Sequence, residues 1–142
     1  MNIAIINGPN LNLLGQREPG IYGQQSFDDF YQKLCKDFPE VSFTYFQSNV
    51  EGELVNALQE AARSAQGIVL NPAAYTHTSV AIGDTVAAIT VPVIEVHISN
   101  VQAREEFRKL SYVSAKAVGT IAGLGLQGYE LAVRWLLAQK KS

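Results

Sequence analysis

The sequence predicts an α/β fold in which a single five-stranded parallel sheet carries helices on both faces. Three observations predict it. Apolar runs such as Ile3-Ala4-Ile5-Ile6 and Gly67-Ile68-Val69-Leu70 do not alternate with polar residues, which marks strands covered on both sides. Longer segments with apolar positions at helical spacing separate these runs, and strand and helix alternate from end to end. The chain has 142 residues, enough for one domain, 1–142, with a substantial core.

The elements follow in order. Strand one is Asn2–Asn7. Helix one is Phe27–Phe38, with Ser26 as N-cap and Asp29 three residues on, and Phe27, Phe30, Tyr31, Leu34, Cys35 and Phe38 on its apolar face. Strand two is Val41–Phe46. Helix two, Glu51–Ser64, places Leu54, Val55, Leu58, Ala61 and Ala62 at helical spacing. Strand three is Gly67–Leu70, helix three Ser79–Ala88, and strand four Val93–Val96. A short helix at Ala103–Leu110, a fifth strand at Ala117–Ala122 and a last helix at Tyr129–Gln139 complete the chain. Right-handed crossovers leave few topologies, and five such strands fit the flavodoxin-like three-layer sandwich with strand order 2-1-3-4-5.

Composition narrows the function. The charged fraction is 17%, below the usual ~25%, which suggests surface covered by other subunits. Net charge is −2 and no run of Lys or Arg exceeds two residues, so no nucleic-acid groove is expected. No apolar run reaches the ~18 residues of a membrane span, and a cytoplasmic location is the expectation. Cys35, the only cysteine, is expected in the core.

In folds of this kind ligands bind beyond the carboxyl ends of the strands, where strand order reverses. Here that point lies between strands one and three, and polar residues gather around it. After strand one comes a loop of about fifteen residues, against the usual ~2–6. Its mixture of Gly, Pro, Leu, Asn10, Arg17 and Tyr22 suits a ligand lid over about 10–23. After strand three comes the segment from Asn71 through His77 to Ser79. Around the end of strand four come Glu95, His97, Ser99 and Asn100, then Arg104 and Arg108.

Several chemistries have no residues to carry them. There is no G-x-G-x-x-G after strand one and no G-x-x-x-x-G-K-[ST]. The first loop lacks an acidic pair for Mg²⁺, and two histidines with one cysteine make a weak metal set. A site working without metal or cofactor is therefore expected. What remains is acid–base chemistry. Residues i and i+2 share a strand face, so Glu95 can orient His97 and favour its charged form, which suits a general acid. Tyr22 is the candidate base. An ordinary tyrosine has a pKa of about 10, so proton removal near neutrality needs about 2.7 kcal/mol of phenolate stabilisation, which a nearby guanidinium (Arg17 or Arg108) in a closed site can supply. Taken alone, a Tyr22 packed in its loop and a solvated Arg17 are the favoured reading. Asn10, Asn71 and the backbone N–H groups near Ile98-Ser99 suit hydroxyls, carboxylates or a developing enolate.

With these residues assembled, the chain resembles the type II 3-dehydroquinases. The resemblance rests on Gly8-Pro9-Asn10-Leu11-Asn12-Leu13-Leu14-Gly15, on Arg17-Glu18-Pro19 with Tyr22-Gly23, and on Gln47-Ser48-Asn49 with Glu51-Gly52-Glu53-Leu54. It continues through Asn71-Pro72-Ala73-Ala74-Tyr75-Thr76-His77-Thr78-Ser79, Glu95-Val96-His97-Ile98-Ser99-Asn100, Arg104-Glu105-Glu106-Phe107-Arg108 and Gly123-Leu124-Gly125. It implies dehydration of 3-dehydroquinate to 3-dehydroshikimate by anti elimination through an enolate, without metal or Schiff base. By matching position, Tyr22 removes the C2 proton, His97 protonates the departing C1 hydroxyl, and Arg17 helps ionise Tyr22. Asn10 holds a water near the enolate oxygen. Asn71, His77, Ile98, Ser99 and Arg108 grip the carboxylate and hydroxyls, and Glu95 supports His97. Asp84 reaches into a neighbouring subunit, which implies a trimer unit assembled as a dodecamer. The reaction serves either the shikimate pathway or quinate breakdown. One departure from the family pattern is Lys109-Leu110 after Arg108, where members often carry a histidine; it touches packing rather than chemistry. The competing class is a flavodoxin-like nucleotide or flavin module, against which the missing phosphate loop argues.

Overall fold

Both faces of the sheet must be covered for its central strands to be buried nearly throughout, and the chain achieves this by alternating strand and helix. The structure, a computed structural model, describes residues 1–16 and 25–140. The strands are β1 (Asn2–Asn7), β2 (Ser42–Gln47), β3 (Gly67–Asn71), β4 (Val93–His97) and β5 (Gly119–Ala122). The α-helices are α1 (Phe27–Asp37), α2 (Glu51–Ser64), α3 (Val80–Ala88) and α4 (Gln127–Lys140). The strands form one parallel sheet in the order β2-β1-β3-β4-β5, as the sequence pattern predicts.

Side chains of a strand point alternately to its two faces. In β1, Ile3 and Ile5 join one core with Val69, Ile94, Val96 and the inner faces of α1 and α4. Ala4 and Ile6 join the other with Ile68, Leu70, Val93 and the inner faces of α2 and α3. Burial of Leu34, Leu54, Leu58 and Leu136 is complete, and each such side chain contributes about 1.5–3 kcal/mol of transfer free energy. Two helices begin where the sequence supplies a cap. The Ser26 hydroxyl accepts from the Asp29 N–H at the start of α1, and Ser79 accepts from the Ile82 N–H at the start of α3.

Two close approaches need glycine. A Cβ on Gly8, the residue leaving β1, would lie 2.5 Å from the carbonyl oxygen of Pro72. A Cβ on Gly83, in the middle of α3, would lie 2.3 Å from the carbonyl oxygen of Tyr112. Neither neighbour is a flexible side chain, so α3 has to move. Gly83→Ala is expected to destabilise the fold by about 1–3 kcal/mol despite alanine's better helix propensity. Denaturant titration checks this; a more stable variant would show that the contact is soft.

Several boundaries and one segment differ from the sequence reading. Strands β3 and β4 run one residue past their apolar cores, to Asn71 and His97, because ladder pairing takes in polar residues: Asn7 pairs with Asn71 and His97 with Ala122. The expected helix at Ala103–Leu110 is instead two 3-10 turns, Val101–Ala103 and Glu106–Lys109. Arg104 and Glu105 between them are extended, which breaks the helical period. Cys35 is half-buried rather than in the core, beside the Tyr31 hydroxyl at the outer margin of α1. Of the expected lid over about 10–23, residues 17–23 lie outside the described residues.

Candidate active site

Asn7 and Asn71 end β1 and β3 side by side, at the point where strand order reverses. A pocket opens directly above them. Of the residues singled out from the sequence, Asn10, Asn71, His77, His97, Ile98, Ser99, Arg104 and Arg108 line it. They come from the last residues of β3 and β4 and from the loops after β1, β3 and β4, so the convergence depends on strand order and not on nearness in sequence.

His97 is the last residue of β4 and Glu95 lies two residues earlier on the same strand face. The Nε2–H of His97 donates to Glu95 Oε2 at 2.6 Å, which leaves Nδ1 as the free ring nitrogen. Glu95 is fully buried. Burial alone would push its carboxyl upward. The hydrogen bond and charge of His97, with the hydroxyls of Ser114 and Thr76, outweigh burial and hold it at about 2 against an ordinary 4.5. A lowered carboxylate pKa stabilises the fold above the unfolded value, and that stability is lost as pH falls from about 4.5 toward 2. The contribution is about 3 kcal/mol. Denaturation measured between pH 6 and pH 3 should show the loss beginning, and Glu95→Gln should remove that part of the pH dependence.

His77 stands beside His97, ring centroids 6.4 Å apart and planes 22° from parallel. Its Nδ1 lies 2.7 Å from the Leu110 carbonyl oxygen, which can only accept, so Nδ1 carries the proton. Burial lowers the pKa of His77, and the neighbouring His97 and Arg108 lower it further, against the Leu110 hydrogen bond. The neutral ring then offers Nε2 as an acceptor for a hydroxyl. Arg108 is held by Glu105 at 3.1 Å and lies 5.0 Å from the centre of the Phe107 ring, while Arg104 reaches Ser99 Oγ at 3.4 Å. The pocket thus combines a histidine paired with a buried carboxylate, a second histidine with Nε2 as acceptor, and two guanidinium groups, which fits a polyhydroxylated carboxylate.

The floor is pinned by a hydrogen-bond chain. Asn71 Nδ2 donates to the hydroxyl of fully buried Tyr129 at 2.9 Å, and that hydroxyl donates to Asn7 Oδ1 at 2.8 Å. Asn71 Oδ1 accepts from the Ala73 N–H at 3.0 Å. Ala73 has φ 53° and Asn10 φ 70°, left-handed conformations that cost about 1–2 kcal/mol for a non-glycine residue such as Ala73. Both strained residues face the pocket, where they aim the loops that enclose it.

Tyr22 and Arg17 lie outside the described residues. Asp84 is on the exposed side of α3, outside this pocket. A larger cavity of about 540 Å³ lies between β1, β2 and α2, lined mostly by apolar groups with Glu53 and Glu60; it contains neither histidine nor arginine. Among the described residues, no group of three or more His, Cys, Asp or Glu is placed to hold a metal ion, and no helix is long and apolar enough to cross a membrane.

The model of one protein family, Dehydroquinase class II, matches residues 1–137. The chain belongs to that family. A 3-dehydroquinate dehydratase of Fusobacterium nucleatum is 53% identical, over 96% of this chain and 97% of its own. The 3-dehydroquinate dehydratase of Bacillus subtilis is 51% identical, over 98% of this chain and 95% of its own. The crystal structure of a type II dehydroquinase from Propionibacterium acnes superimposes with a TM-score of 0.92 at 46% identity, covering 96% of both chains.

Three features of this class II dehydroquinase fold escaped sequence reasoning. One is the set of hydroxyls around Glu95, from Thr76, Ser111, Ser114 and Thr120. Another is the Tyr129–Asn7–Asn71 chain, whose members are up to 122 residues apart. The third is the Leu110 carbonyl that selects the tautomer of His77. Serine and threonine are too common in loops to signal such roles, and a backbone carbonyl leaves no sequence trace.

Proposed function

We propose that this chain, as a single catalytic domain, dehydrates 3-dehydroquinate to 3-dehydroshikimate by anti elimination through an enolate. The observation that carries the reading is His97, ion-paired to a buried carboxylate by Nε2 and open at Nδ1, beside the neutral acceptor His77 and Arg108. In the proposed reaction the C2–H bond breaks first. Its proton passes to the Tyr22 phenolate, and the electron pair moves into the enolate, which Asn10 stabilises through a held water. The enolate then expels the C1 hydroxyl as His97 gives it a proton from Nδ1. Water leaves, and the product carries a C1–C2 double bond conjugated with the ketone. Proton return from Tyr22 to His97 through solvent resets the site.

Arg17, on the 10–23 loop, lowers the cost of ionising Tyr22. Arg108 and the backbone N–H groups of Ile98 and Ser99 bind carboxylate and hydroxyl oxygens. Asn71 has one amide hydrogen left after its bond to Tyr129, and that hydrogen faces a substrate oxygen. His77 Nε2 accepts a hydroxyl proton. Asp84, exposed on its own chain, serves the site of a neighbouring copy in a trimer, and four trimers make the dodecamer. A cytoplasmic place in the shikimate pathway is the proposed setting, with quinate breakdown as the other route using the same reaction. The deciding experiment is ultraviolet absorbance of purified protein with 3-dehydroquinate in the presence of a chelator, since only the enone product absorbs strongly. No absorbance rise would overturn the reading.

A further inference from the structure

The Glu95 carboxylate receives more donors than one histidine partner requires. Oε2 accepts from His97 Nε2 at 2.6 Å, from the Thr76 hydroxyl, and from the Ser111 hydroxyl at 3.4 Å. Oε1 accepts from the Ser114 hydroxyl and from Thr120 Oγ1 at 3.2 Å. A carboxylate has about four lone-pair positions, so these donors saturate it and leave no room for water or for a proton of its own. The hydroxyls come from three separate places: the turn after β3, the segment before β5, and β5 itself. A carboxylate that only balanced His97 would not need all three.

We propose that Thr76, Ser111, Ser114 and Thr120 are positioning residues for catalysis, clamping the buried Glu95 carboxylate as an anion in the one orientation that presents His97 Nδ1 to the pocket. The proposal rests on the reading of His97 as the acid. Clamping both oxygens stops the carboxylate from rotating, and the His97 ring follows the oxygen to which it donates. The donors also keep the anion cheaper than the neutral acid in a place with no access to water, so Glu95 stays a carboxylate. The charged and titratable groups around the pair are few. On its own strand there is His97. From the turn after β3 comes His77, and across the pocket stand Arg104 and Arg108. Lys116, near Ser114 in the chain, and Asp84 of α3 are exposed, and Glu130 of α4 turns to Lys33 at 3.5 Å. The hydroxyls are therefore the groups that tune Glu95 beyond His97.

The test uses Ser114→Ala and Thr120→Val, singly and together, with Ser114→Thr and Thr120→Ser as variants that keep the hydroxyl. The Glu95 carboxyl carbon is followed by ¹³C NMR from pH 7 to pH 3, and kcat and KM are measured at the pH of maximal rate. The parent protein should show no Glu95 protonation step in this range. Each hydroxyl-free single variant should raise the step by about one pH unit, and the double variant should bring it into view. The double variant should also lose about tenfold in kcat with KM within twofold, and the hydroxyl-retaining variants should restore both. An unmoved carboxyl titration in folded variants would overturn the proposal. So would a protonation step with unchanged kcat, because the hydroxyls would then serve stability alone. If the double variant fails to fold, the single variants decide. Failure of the parent to turn over 3-dehydroquinate would remove the proposed function, while the carboxyl titration would still report whether the hydroxyls hold the anion.

Discussion

Replacing His97 with glutamine is expected to lower turnover of 3-dehydroquinate by about 10²–10⁴-fold while KM changes little. The glutamine amide can still donate to Glu95, and the hydroxyls of Thr76, Ser111, Ser114 and Thr120 still satisfy the carboxylate, so the pocket keeps its shape. What is lost is a group able to release a proton. Hydroxide is a poor leaving group, so the enolate can form but drains slowly to product. The enolate offers a second readout. The C2 hydrogen should still exchange with solvent deuterium in His97→Gln, because the base is intact. Steady-state kinetics and exchange monitored by NMR check both points, and turnover within threefold of the parent would remove His97 from the role of acid. Some stability should be lost too, since the buried Glu95 carboxylate loses its 2.6 Å partner.

Tyr22→Phe is expected to cost about as much, 10²–10⁴-fold in turnover, but with the opposite exchange result. In the proposed mechanism the phenol takes the C2 proton, so without it neither product formation nor C2 exchange should occur at an appreciable rate. Binding should survive, because Arg108, His77 and Asn71 stand in the described pocket and are unchanged in the variant. Calorimetric titration with a non-reacting carboxylate analogue should give an affinity within a fewfold of the parent. Normal turnover in Tyr22→Phe would sink the assigned base. The two losses should not add in a double variant. Once the proton cannot be removed, the acid has nothing to act on, so the double variant should resemble Tyr22→Phe alone.

The pair of variants also separates what was legible in the sequence from what was not. Glu95 and His97 are two residues apart on a strand, so their shared face follows from strand geometry alone, and the 2.6 Å contact agrees with it. The fold was legible for a similar reason. Non-alternating apolar runs such as Ile68-Val69-Leu70 have one stable environment, the middle layer of a covered parallel sheet. The Ala103–Leu110 segment was misread because helical periodicity is a weak signal over one or two turns, and the extended Arg104 and Glu105 serve instead to carry two arginines over the pocket. The half-buried position of Cys35 was missed because a residue at the margin of an apolar stripe has the same periodicity as one at its centre.

By itself the amino-acid sequence determined the layer architecture, the strand order, and which loops would carry polar chemistry, because these depend on burial periodicity and chain connectivity. Only the tertiary structure decided that Asn71 is tied through Tyr129 to Asn7, that His77 is neutral with its proton on Nδ1, and that four hydroxyls from distant segments saturate Glu95. The physical reason is range. Periodicity reports a residue's environment along its own element, whereas a hydrogen bond spans about 3 Å and joins whichever groups the packed chain happens to place together.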